Sequence, residues 1–313
     1  MKKVLFSLLL MAAVCAQASI MTVPSGYKVT EITVDDNDGV YVSGFGRLSS
    51  GDFVIYNGVE LYEIDGATGE YTKTLTETSP VYGSFVKVVG NKVYFGESSK
   101  GAVNVYDYAT GETTLFTTLA GNYDMKVAGD DIYIIAGNTV NKVAADGTAT
   151  PVITVGSASG ALIFDDAGNA YYAAGEENWG AQGAKNMYKF TARQLASGNV
   201  LTEADGEIVL AAIDGPSGGD FVWDDLFYTD IVVSPSGVYN SQGKFADAGS
   251  AYPMLMYANG DGFDVLLTSY DSSWNSVYTL ATVTAEVPEP GTLIALITGV
   301  AGAAFFGRRT LVK

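Results

Sequence analysis

Three tryptophans carry the chemistry this sequence offers most openly. Trp179 follows Glu176 and Glu177, Trp223 sits between Asp220 and the pair Asp224 and Asp225, and Trp274 follows Asp271. An indole face stacks on the C–H groups of a pyranose while nearby carboxylates accept its hydroxyl protons, so the grouping suits carbohydrate binding. Two of those carboxylates at the right separation could also hydrolyse a glycosidic bond. The alternative is structural: large amphipathic rings close a core against solvent. There is no histidine in the chain, which excludes Ser-His-Asp and Cys-His nucleophile systems and histidine-based zinc and iron sites. An enzyme built from this sequence must work through carboxylates, Tyr, Lys or Ser. Asp35-Asp36-Asn37-Asp38-Gly39 has the composition of a calcium loop. Its glycine falls in the wrong register, no Glu stands at the twelfth position, and the stretch reads as a turn. Neither a metal nor a cofactor is expected.

These residues must be positioned by β-structure, because the body shows short apolar runs broken by Gly, Asp and Asn and almost no helical period. Six segments look alike: Val40–Tyr56, Ser84–Phe95, Asp124–Ile135, Ala161–Ala173, Asp230–Asn240 and Pro253–Ser269. Each reads as strand, tight turn, strand, with Gly, Asn or Asp supplying the positive φ that such turns need. A second hairpin follows in three of them. Leu61–Glu70 and Val103–Glu112 share Asp-x-Ala-Thr-Gly-Glu, which puts Gly69 and Gly111 at one turn position, and Lys142–Gly147 is a shorter version. Two hairpins make a four-stranded unit of roughly 40 residues, the repeat of an all-β β-propeller. Six blades fit the length, with five and seven left open. Tyr27–Val34 precedes the first unit and is expected to pair near Val277–Val283, completing the last blade and removing exposed edges. Assigning the three tryptophans to connections between hairpins puts them all at one end of the blades.

The Asp-x-Ala-Thr-Gly turns make the body loosely similar to PQQ-type and WD-like β-propeller repeats. That resemblance implies a fold and no activity, and quinoprotein cofactor residues cannot be located in this chain.

The two ends carry addresses. Residues 1–18 have a basic start (Lys2, Lys3), an apolar run from Val4 to Val14 and Ala16-Gln17-Ala18, which reads as a secretory signal peptide cleaved between Ala18 and Ser19. Cys15 would leave with it, so the mature chain would have no cysteine and its stability would rest on burial alone. Residues 287–313 contain Pro288, Glu289 and Pro290, then an uncharged apolar segment at 291–307, then Arg308, Arg309 and a final Lys313. As a helix that segment would span roughly 26 Å at about 1.5 Å per residue, slightly short for a hydrocarbon core of about 30 Å, and its Gly and Ala content makes it a weak span. The basic residues would stay on the cytoplasmic side. Motif, apolar span and basic end together resemble the PEP-CTERM sorting signal. The resemblance implies processing by exosortase, a membrane-embedded enzyme of Gram-negative bacteria that make extracellular polysaccharide. A plain C-terminal membrane anchor is the alternative.

The chain carries a formal net charge of −18, and five of its 17 basic residues lie in the two ends. The body between them is therefore more acidic still, which argues against nucleic acid as a partner. The sequence thus describes a signal peptide (1–18), a β-propeller (19–286) and a sorting signal with a transmembrane helix (287–313). Its partners would be the secretion machinery, signal peptidase, exosortase and extracellular polysaccharide, after an inner-membrane intermediate on the way to the cell surface or matrix. A binding or structural role in the envelope is the first functional reading. A carboxylate-based polysaccharide hydrolase or lyase and a protein-interaction platform are the alternatives. If the ends are addresses, intact-mass measurement of the exported protein is expected to show loss of both, with the C-terminal cut near Pro288–Pro290. A mature form that retains Lys313 identifies the tail as a plain anchor.

Overall fold

The computed structural model describes residues 19–286 except 38, 40, 157, 176–184, 214 and 231–235. The expected signal peptide through Ala18 lies outside the described residues. So does the tail with Pro288, Glu289, Pro290, Arg308 and Arg309. Among the described residues no helix is long and apolar enough to cross a membrane.

After a first strand β1 (Tyr27–Val34), the chain forms six four-stranded antiparallel sheets. Blade one holds β2 (Gly44–Arg47), β3 (Phe53–Tyr56), β4 (Glu60–Ile64) and β5 (Tyr71–Glu77). Blade two holds β6 (Val86–Val89), β7 (Lys92–Glu97), β8 (Ala102–Asp107) and β9 (Glu112–Thr118). Blade three holds β10 (Asn122–Ala128), β11 (Asp131–Ala136), β12 (Thr139–Val143) and β13 (Ala149–Thr154). Blade four holds β14 (Ala158–Phe164), β15 (Ala170–Gly175), β16 (Lys185–Phe190) and β17 (Glu207–Ile213), with the short helix α1 (Ala192–Leu195) between the last two. Blade five holds β18 (Pro216–Val222), β19 (Asp225–Asp230), β20 (Gly237–Asn240) and β21 (Gly243–Asp247). Blade six holds β22 (Tyr252–Ala258), β23 (Gly262–Tyr270) and β24 (Ser276–Ala285), and β1 is its fourth strand. From blade one to blade six the first strand of each packs beside the first strand of the next, and Phe45 of blade one packs against Tyr257 of blade six. The fold is a six-bladed β-propeller, and β1 closes it as expected, in unbroken register from Tyr27 opposite Ala285 to Val34 opposite Tyr278.

Burial explains which strand goes where. Second strands are covered by neighbouring blades on both faces, so they are largely apolar, as in Phe53–Tyr56, where every residue is buried. Outer strands are Thr-, Lys- and Glu-rich and exposed, as in Tyr71–Glu77. The outer pairings of blades one to five each carry a register shift, which twists an exposed edge away from pairing with other chains. In the repeated turn, the Asp65 carboxylate accepts from the N–H groups of Ala67 and Thr68, the Thr68 hydroxyl accepts from Glu70 N–H, and Gly69 takes φ +79. Asp107, Thr110 and Gly111 repeat the arrangement.

One hairpin differs from the sequence reading. Asp230–Asn240 is not the first hairpin of blade five: Asp230 ends β19 and Gly237 begins β20. The true inner strand is Pro216-Ser-Gly-Gly-Asp-Phe-Val, whose Pro and glycines look like a loop. A Cβ at Gly219 would come within 2.5 Å of the Phe227 carbonyl oxygen, and one at Gly218 within 3.1 Å of Leu255 Cα. Where the radius of the ring is smallest, backbones approach too closely for side chains.

The repeated turn glycines give a test of blade-to-blade packing. A Cβ at Gly69 would meet the Thr33 carbonyl oxygen at 2.0 Å and one at Gly147 the Phe116 oxygen at 2.1 Å, whereas Gly111 faces open space. All three have positive φ. Gly111→Ala is expected to cost about 1 kcal/mol from its backbone alone. Gly69→Ala and Gly147→Ala should cost clearly more, read as urea midpoints. Equal losses at the three sites would mean that the turns do not set the spacing between blades.

Candidate functional site

The connections of a blade emerge at two ends. First-to-second and third-to-fourth strand turns share one end, the turn face. Second-to-third connections and those between blades share the other, the loop face.

Trp274 lies on the loop face, in the β23–β24 connection. Trp274 is 83% exposed, and its ring centroid is 6.3 Å from that of Tyr270, which in turn is 6.4 Å from Tyr252. Both tyrosines are also exposed. Asp271 serves the loop itself. It accepts from the N–H groups of Ser273 and Asn275 and from the Asn275 side chain. Those bonds, the Asn275 N–H foremost, hold its carboxyl below the usual range. Trp179, Glu176 and Glu177 fall between β15 and β16, outside the described residues.

Trp223 corrects the expectation of a single tryptophan face. Val222 pairs with Asp225, so Trp223 and Asp224 are the two central residues of the β18–β19 turn, at φ 50 and 61. This is a hairpin turn with positive φ at both positions, and it stands on the turn face, opposite Trp274. The Trp223 ring is half-buried among Tyr27, Phe227, Phe245 and Phe263, at centroid distances of 4.9 to 6.0 Å. It closes the seam between blades five and six, which is the structural alternative. The assignment failed because the misplaced hairpin of blade five exchanged its two ends. Asp224 is exposed, and Asp225 accepts from Leu226 N–H and the Ser241 hydroxyl.

The structure gathers a second group that sequence reasoning missed, in the channel at its turn-face end. Asp124 and Lys126 on β10 are 1% and 3% exposed. Lys126 Nζ donates to the Gly219 carbonyl at 2.6 Å and lies 3.4 Å from Asp124 Oδ2 and 3.8 Å from Asp220 Oδ2. Tyr257 on β22 donates its hydroxyl to Asp124 Oδ1 at 2.8 Å. Its ring lies 4.3 Å from Lys87 Nζ on β6 and 4.5 Å from Lys126 Nζ. Asp220 accepts from the N–H groups of Ala258 and Phe221. Beside the group, Arg47 on β2 makes a two-pronged ion pair with Asp264 on β23, at 2.7 and 2.6 Å, and donates to Thr282. Phe45, Gly46, Arg47, Lys87, Val88, Tyr257, Ala258 and Asp264 line an open pocket of about 90 Å³.

Burial and charge set the protonation of this cluster. Burial raises the Asp220 carboxyl, but Lys126, Lys87 and the two backbone N–H groups overcome it and hold it below the usual range. Burial, reinforced by the Asp124 carboxylate, keeps the Tyr257 phenol protonated far above its usual value. Burial lowers the Lys87 ammonium, Lys126 adds to that, and Asp220 and Asp124 oppose it without reversing it. One sequence signal could have found the cluster. Counted back from their turns, Lys87, Lys126 and Asp220 each stand two residues before the last inner-strand residue, at Val89, Ala128 and Val222. The misplaced fifth hairpin hid the third of them.

No family model and no curated relative matches the chain. Solved structures do resemble it. Regucalcin, a calcium-binding protein from Agrobacterium tumefaciens, matches 81% of this chain with 94% of its own at 17% identity and a TM-score of 0.57. Virginiamycin B lyase from Staphylococcus aureus matches 83% with 100% of its own at 13% identity and 0.53. The PQQ-bound aldose sugar dehydrogenase of Streptomyces coelicolor matches 84% with 100% of its own at 12% identity and 0.54. Identities this low establish a shared propeller fold and nothing about activity. Among the described residues no group of His, Cys, Asp and Glu is placed to hold a metal ion.

Because the Lys87 ammonium is held below its unfolded value of 10.5, its protonated form disfavours folding. That penalty is present below the folded value and fades as pH rises toward 10.5. Lys87→Met is therefore expected to raise the urea midpoint at pH 7, with the advantage shrinking as pH approaches 10.5. A difference that stays constant across that range would show that Lys87 folds without desolvation.

Proposed function

We propose that this chain is an exported propeller that binds extracellular carbohydrate at its loop face, delivered by the signal peptide and sorted by exosortase into the envelope or exopolysaccharide matrix. The observation that supports the binding reading is the exposed row Trp274, Tyr270 and Tyr252 along the loop-face end of blade six. The rings continue one another, and each offers a face or edge to a sugar ring. Their exposure means that they add little to the core, and a contiguous row of exposed aromatic rings suits recognition. The proposed carboxylate contribution moves away from Asp271, whose oxygens are engaged by its own loop.

Trp274→Ala is expected to weaken retention on extracellular polysaccharide by about 1 kcal/mol, the worth of one aromatic contact, with a stability change within about 0.5 kcal/mol. Trp223→Ala should do the reverse, costing about 3 kcal/mol of stability as a large-to-small packing change. It should leave the retention of the folded fraction unchanged. Affinity electrophoresis and urea denaturation read the two effects. Unchanged retention of both Trp274→Ala and Tyr270→Ala would remove the carbohydrate reading.

A further inference from the structure

Three cationic side chains reach the turn-face end of the channel, and two are engaged. Arg47 is held by Asp264 and Thr282. Lys126 is held by the Gly219 carbonyl and Asp124. Among the described residues Lys87 Nζ has neither an ion pair nor a hydrogen-bond acceptor; it rests over the Tyr257 ring at 4.3 Å and lines the pocket. Strand alternation puts it there. Val86 and Val88 on either side pack into the apolar seam between blades one and two, which turns Lys87 to the opposite face of β6.

We propose that Lys87 is a nucleophilic amine that condenses with a small aldehyde or ketone entering this pocket from the turn face. An amine without an acceptor of its own, half-buried against aromatic and aliphatic walls and beside a second ammonium, meets the conditions that activate lysine toward carbonyl carbon. The groups facing it are Lys126 and Asp124 on β10, Asp220 on β18, Tyr257 on β22, Arg47 on β2 and Asp264 on β23. Lys126 disfavours the ammonium and Asp220 favours it, with burial on the side of Lys126. The pocket of about 90 Å³ has room for a molecule of a few heavy atoms beside Lys87. The step needs no oxidant or reductant. The Nζ lone pair forms a C–N bond as the carbonyl π pair moves to oxygen, and Nζ passes a proton to solvent. The alkoxide takes a proton from solvent to give the carbinolamine, whose hydroxyl takes a second proton and leaves as water while the nitrogen lone pair forms the C=N bond; the resulting iminium releases its N–H proton to solvent to give the imine. This site lies at the end opposite the aromatic row, so it stands or falls independently of carbohydrate binding there.

The test is reductive trapping. The purified full chain is treated with a small excess of acetaldehyde and cyanoborohydride at pH 7, to low overall labelling, and peptides are mapped by mass spectrometry. The expected result is ethylation at Lys87 several-fold above that at any other lysine, with the preference lost when labelling is done in concentrated urea. Uniform labelling, preferential labelling of another lysine such as Lys126, or a Lys87 preference that survives in urea would each overturn the proposal. Lys87→Arg, which keeps the charge but not the nucleophile, is expected to abolish the dominant adduct without shifting label to Lys126. A dominant Lys126 adduct in that variant would mean that the pocket, rather than Lys87, supplies the reactivity.

Discussion

Closure of the ring is the constraint on which the rest of the molecule depends. A propeller opened between its first and last blades would expose two inner-blade faces and a sheet edge, and stability summed over neighbouring repeats would lose one interface. Two contacts of very long sequence separation hold this one shut. The eight-residue ladder of β1 on β24 makes the N-terminal strand the outer strand of the last blade. Arg47 of blade one grips the buried Asp264 of blade six, with Thr282 and Asn259 completing the carboxylate's partners. A buried carboxylate left without its cation is strongly destabilising, so this pair also specifies which blades meet. Just upstream of β1, the Ser19 hydroxyl and the N–H groups of Ile20 and Met21 donate to Glu31, and Met21 is fully buried. The chain is tethered from the residue at which cleavage is expected to leave it.

Closing the ring creates an axis where space is scarce and water is partly excluded. Inner strands answer the first condition with glycine, as at Gly218 and Gly219, where side chains would strike neighbouring backbone. The second condition makes any charge placed there consequential. Asp124, Lys126, Asp220 and Tyr257 satisfy most of each other's needs in a mutually bonded group. Among the described residues Lys87 has neither an ion pair nor a hydrogen-bond acceptor and rests over the Tyr257 ring. A buried network that leaves one member short is where a structure keeps chemical reactivity, because the missing partner is available to come from outside.

The two ends of the propeller have consequently diverged. At the turn-face end the channel group is gathered and Trp223 seals a seam. The loop-face end displays Trp274, Tyr270 and Tyr252 to solvent. The same residue type thus serves packing at one end and presentation at the other, and its surroundings decide which. Trp223 is enclosed by four aromatic rings, whereas among the described residues Trp274 has Tyr270 as its one aromatic neighbour.

Much of the fold was legible in order along the chain, because local rules govern it. Apolar runs with Gly, Asn and Asp turns marked five of the six inner hairpins. The Asp-x-Ala-Thr-Gly-Glu repeats marked outer turns, and Tyr27–Val34 announced itself as an unpaired strand that a closed ring would need. Blade five was read one strand out of step, since Pro216–Val222 is glycine-rich for reasons of close approach that no local pattern displays. That slip moved Trp223 to the wrong end and hid the equivalence of Asp220 with Lys87 and Lys126. The channel group itself was decided by tertiary structure. Its members come from four inner strands, with partners separated by up to more than a hundred residues. Side chains alternate between faces along a strand, so only the packed register determines which of them meet at the axis.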